Sequence, residues 1–73
     1  MTQSIEIGKT GHIIGGTDVG MYVRIEDDAT SAGGFLILTS HTNDFATGFD
    51  NWVVDRAELE RYVTASAWEI NWF

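Results

Sequence analysis

The sequence predicts an α+β domain, a small antiparallel sheet of about four to five strands with one helix packed on one face, in the order β-β-β-β-α-β. Three observations carry that prediction. Residues 21–26 alternate Met21, Val23 and Ile25 with Tyr22, Arg24 and Glu26, the two-residue period of a strand with one buried face. Residues 55–66 join a capping signal to apolar side chains at helical spacing. The run WEINWF, residues 68–73, alternates once more, so a strand returns from the helix with almost no linker.

Taken in order, residues 1–20 are dense in glycine, and Gly8, Gly11, Gly15, Gly16 and Gly20 punctuate two short apolar runs at 5–7 and 12–14. They read as two short strands and a turn, with glycine weakening both. The 21–26 strand pairs in a hairpin with residues 35–38, a continuous apolar run flanked by Gly33 and Gly34 that suits a central strand covered on both faces. The joining segment, 27–34, is polar and slightly long for a tight turn. Residues 41–54 follow neither period, since Phe45, Phe49 and Trp52 fit no strand alternation and Gly48 interrupts a helical one; a structured loop with buried anchors is expected. Asp55 and Glu58 then resemble a capping box, with Val54 and Leu59 placed for a hydrophobic staple. Leu59, Tyr62, Val63 and Ala67 form the apolar stripe of a helix of about three turns. In the final strand Trp68, Ile70 and Trp72 point one way, and Glu69, Asn71 and Phe73 the other.

Size bounds what such a chain can be. At 73 residues it is a single domain, residues 1–73, and buries only roughly 60% of the surface its unfolded form exposes. A hydrophobic fraction of 44%, with three tryptophans, two tyrosines and four phenylalanines, is too rich for a disordered acidic tail. No cysteine is present, which removes disulfides, thiolate metal sites and thiol nucleophiles, and leaves stability to packing or self-association. No apolar run approaches the roughly 20 residues of a membrane span, and MTQSIEIGK lacks the layout of a signal peptide, so a cytoplasmic location is expected. Eleven acidic residues against Lys9, Arg24, Arg56 and Arg61 give a net charge of −7, which disfavours nucleic acid, because its binding draws on lysines and arginines that displace counterions. The same charge keeps a small protein soluble and suits a basic partner through long-range steering.

Candidate chemistry is sparse. The Gly-Lys-Thr at residues 8–10 invites comparison with a phosphate-binding loop, but the earlier glycine of that motif would fall on Gln3, and Gly11, Gly15 and Gly16 would not sustain the helix that must follow. A hairpin turn is expected there instead. His12 and His41 stand 29 positions apart, neither with a second ligand at metal-site spacing; a set of His41, Asp44 and Asp50 is crowded by the packing residues Phe45, Phe49 and Trp52. Glu26, Asp27 and Asp28 cluster at a strand end, where a hairpin loop leaves carboxylates in water, whereas acid–base catalysis by a carboxylate pair needs burial; a solubilising turn is expected. The expectation is no enzyme, no cofactor and no metal. Trp52, Trp68 and Trp72 all fall in the last 22 residues, suited first to a core and second to an interface.

The run FDNWVVDRAELERYVTASAWEINWF, residues 49–73, resembles the closing segment of short acidic bacterial proteins, some uncharacterised and some similar to immunity proteins that neutralise toxins. The likeness covers about a third of the chain and rests on Phe49, Trp52, the Asp55 to Glu58 helix start, Leu59, Tyr62 and the Trp68, Ile70, Trp72 strand. It implies a bacterial, non-enzymatic domain that binds another protein, and it carries over no contact residue. The expected function is therefore a protein-binding module of immunity or inhibitor type. Glu26, Asp27, Asp28, Asp44 and Asp50 would face a basic partner, with Trp52, Trp72 and Phe73 as interface aromatics. The alternative is a homodimeric structural domain without ligand, completed across a two-fold axis by the last strand or the aromatic loop. More remote is a small-molecule or metal-binding enzyme, motivated only by the two histidines and the carboxylates.

Overall fold

The computed structural model describes residues 5–28, 33–45 and 48–73. Gln3, the centre of the 27–34 connection at residues 29–32, and residues 46–47 of the expected anchored loop lie outside the described residues.

Five strands form one antiparallel sheet: β1 (Thr10–Gly15), β2 (Tyr22–Asp27), β3 (Phe35–Ser40), β4 (Phe49–Val53) and β5 (Glu69–Trp72). Among the described residues one helix, α1 (Arg56–Ala65), stands between β4 and β5. The spatial order is β4-β3-β2-β1-β5, so the first four strands run as a meander and α1 carries the chain from one edge of the sheet to the other. This is the α+β class and the β-β-β-β-α-β order that the alternation and the capping signal predict.

The alternation in β2 sets the two faces. Val23 and Ile25 are buried and meet Ile13, Ile37 and Ile70 from neighbouring strands, with Leu59 and Val63 of α1 closing the core from above and Met21 and Trp68 at its ends. Each aliphatic side chain fully withdrawn from water stabilises the fold by roughly 1.5–3 kcal/mol. Trp72, on the face of Ile70, packs partly buried against this core. Gly11 makes the arrangement possible: a Cβ there would collide with Cγ2 of Ile70 and approach Cε3 of Trp72 to 2.9 Å. The molecule measures 32 × 30 × 18 Å, and 18 Å holds one sheet and one helix layer only.

The helix begins as its sequence dictates. Asp55 is extended and its Oδ1 accepts from the Glu58 amide at 2.9 Å, while Arg56–Glu60 and Glu58–Arg61 pair at 3.0 and 3.3 Å along the exposed side. Val54 stays half exposed, so little is gained from a staple. At the other end Ala67 adopts φ 55°, its amide donates to the Thr64 carbonyl at 3.0 Å and the Trp68 amide to the Val63 carbonyl at 3.3 Å, the double bond of a Schellman motif. Ala67 thus lies beyond the helix, exposed, and not on the apolar stripe; Ser66 is the half-buried residue one turn after Tyr62.

Several local expectations are corrected. Residues 5–7 form no strand: Gly8 takes φ +78°, in the left-handed region, and turns the chain before the ladder begins at Thr10, although Ile5 and Ile7 pack against the core. Residues 7–8 are therefore a turn into β1 and not the tip of a hairpin, and Thr10 opens a strand where a phosphate-binding loop would open a helix. The 35–38 run is not central. β3 is second from the edge, and Leu36 and Leu38 are only half-buried, on the face that α1 does not cover. Within residues 41–54 an edge strand, β4, replaces the loop, and its aromatics are not buried anchors: Phe49 is 69% and Trp52 46% exposed. Periodicity fails there because an edge strand with both faces near water has no inside to repeat.

Candidate interaction face

The face of the sheet opposite α1 is assembled from one residue in two of each strand. Cross-strand pairing puts Trp52 opposite Leu36, which is opposite Glu26; Asp50 opposite Leu38, which is opposite Arg24; and Ser40 opposite Tyr22, which is opposite His12 and then Asn71. These residues share a face because pairing partners point the same way and successive residues alternate. Leu36 and Leu38 follow each other along β3, and Leu38 lies diagonal to Tyr22. A stripe of apolar and aromatic side chains therefore crosses the sheet obliquely: Trp52, Leu36, Leu38, Tyr22, His12.

Ring contacts fix both ends of it. His12 stacks on Tyr22 with centroids 4.9 Å apart, and its Nε2 lies 3.3 Å from the Gly20 carbonyl oxygen. Phe73, 63% exposed, meets Tyr22 edge-on at 6.3 Å. At the opposite corner the Trp52 Nε1–H donates to the Gly33 carbonyl at 2.7 Å, pinning the indole while leaving nearly half of it in solvent.

Charge is distributed just as unevenly. Lys9 pairs with Glu6 at 3.4 Å, Arg24 with Glu26 at 3.1 Å, Arg56 with Glu60 and Arg61 with Glu58. Every lysine and arginine thus faces a glutamate, which leaves the net charge of −7 with the six aspartates and Glu69. Individually these exposed pairs add little stability. Their consequence is that, among the described residues, each lysine and arginine has a carboxylate beside it.

The expected site residues do not converge on one spot. Glu26 lies on the open face, tied to Arg24; Asp27 is exposed where β2 ends; Asp28 is half-buried at the start of the following turn, its amide donating to the Gly34 carbonyl at 3.0 Å. Asp44 sits near the far end of the sheet, after β3, and accepts from Thr42 Oγ1 at 2.8 Å. Asp50 and Trp52 share the open face on β4, and Phe73 shares it beside β1 and β5. Trp72 is separated from them, on the α1 side. Sequence reasoning missed Leu36, Leu38, Tyr22 and His12. Their signal was the unbroken apolar run at 35–38 and the aromatic residue on the polar side of the 21–26 alternation. Among the described residues no group of three His, Cys, Asp or Glu side chains is placed to hold a metal ion, and no helix is long and apolar enough to cross a membrane.

No protein-family model matches the chain, and no curated protein or solved structure matches it at a significant level.

Proposed function

We propose that this chain is a non-enzymatic protein-binding module, of inhibitor or immunity type, whose partner presents a basic surface. The observation that carries the reading is the charge arrangement: all four cations are held by glutamates, so the net charge of −7 falls to the six aspartates and Glu69 and the molecule carries a negative field. Such a field accelerates encounter with a cationic partner and slows it with an anionic one. The same field opposes pairing of two identical copies, which sets the binding module ahead of the homodimer.

Reversal of charge at Asp27 and Asp28 tests the reading. A partner is first isolated on the immobilised protein at low ionic strength and purified, and its association is then followed by stopped flow. Asp27→Lys combined with Asp28→Lys should slow association by about tenfold at low salt and by less than about twofold once salt screens the field. Equal rates for the two proteins at low salt would dispose of the proposal.

A further inference from the structure

We infer that the open face of the sheet is the docking site for an amphipathic helix with basic flanks, laid obliquely over Trp52, Leu36, Leu38 and Tyr22; this deepens the preceding reading and rests on it. Singly exposed apolar side chains are ordinary, whereas a contiguous band of them marks a contact surface. Here the band is continuous through direct and diagonal neighbours, from Trp52, 46% exposed, on β4 through the half-buried Leu36 and Leu38 on β3 to the half-buried Tyr22 and His12 on β2 and β1.

Its geometry selects the occupant. The band crosses three strand spacings while climbing four residues of β3, a path of about 20 Å. A helix of about 13 residues spans that length. An added strand could not cover it, because strands pair in the plane of the sheet at β4 or β5 and reach no side chain in the middle of β2 or β3. Among the described residues the sheet has a helix layer on one side only, and a second would make a three-layer sandwich with both faces covered.

Charge selects the flanks. Asp50 lies beside Leu38 on one side of the band, and Glu26 lies beside Leu36 on the other. Arg24, the cation of this face, is engaged by Glu26 at 3.1 Å. A helix with lysine or arginine bordering an apolar stripe would set one border against Asp50 and the other against the Arg24–Glu26 pair, within a molecule of net charge −7, whereas a helix with acidic borders would meet like charge at Asp50 and from the molecule as a whole.

The test uses three synthetic peptides and the full chain labelled with ¹⁵N. One peptide is a helix with a leucine stripe and lysine borders; the second replaces each lysine by glutamate; the third rearranges the first into a strand-forming alternation. The lysine helix should bind with shifts concentrated at the Trp52 indole and the amides of Tyr22, Leu36 and Leu38. The glutamate helix and the alternating peptide should bind at least about tenfold more weakly, and Trp52→Ser or Phe73→Ser should cost the lysine helix a similar factor. Both side chains are substantially exposed, so the folded spectrum is retained and gives the check on each variant. Shifts confined to the edges of β4 or β5, or equal binding of the glutamate helix, would overturn the inference. If the lysine helix fails to bind while the association of the isolated partner keeps its sensitivity to Asp27 and Asp28, the helix site falls and the acidic module stands.

Discussion

Ala67 occupies the left-handed region at φ 55°, a conformation that costs an L-residue roughly 1–2 kcal/mol and glycine almost nothing. It is tolerated because the Schellman bonds of the Ala67 and Trp68 amides require that conformation, and because Trp68 then turns back to meet Tyr62 edge-on at 5.5 Å. Ala67→Gly should therefore raise stability by about 1 kcal/mol, net of the extra freedom glycine brings to the unfolded chain, with an increase in melting temperature as the measure. An unchanged or lowered melting temperature would show that the strain is relieved elsewhere. Spacing alone places Ala67 on the helical stripe; only the dihedral reveals it as the residue that ends the helix. Gly11 carries the same lesson in reverse. Glycine in a strand reads as a weakness, yet here its bare Cα admits the side chains of Ile70 and Trp72.

The elements differ in legibility according to how local their causes are. Helix α1 can be read to within a residue of each end because its cap, its stripe and its ion pairs lie within ten positions of one another. Asp55→Ala removes the acceptor for the Glu58 amide and should cost about 1 kcal/mol, seen as a lower denaturant midpoint with an unchanged slope. A wild-type midpoint would mean that water caps the helix equally well. Strand β4 is not legible in the same way. Its backbone is held by pairing with β3, its side chains Phe49, Asp50, Asn51 and Trp52 all lie near solvent, and alternation has nothing to report. The open face was half visible: the carboxylates and Trp52 stand out in the sequence, whereas Leu36 and Leu38 read as core until the neighbouring layer proves to be missing.

At the scale of the whole molecule, the path of the chain matters more than any one contact. Strands β1 to β4 pair with sequence neighbours, whereas β5 pairs with β1, joining Gly11 to Trp72 across almost the full length of the chain. Closing so long a loop costs chain entropy that near neighbours do not incur. The meander should consequently assemble first, with β5 docking after the rate-limiting barrier. Ile70→Val, which trims a buried side chain of β5 and destabilises by about 1 kcal/mol, should speed unfolding by about fivefold and alter the folding rate by less than about twofold. A folding limb slowed by the full fivefold would instead place the β1–β5 pairing in the nucleus. On the expected route, the α1 crossover acts as a tether: it keeps β5 attached while unpaired, so the sheet can shed and regain one edge strand without unravelling, and the lifetime of the native state is set at that edge.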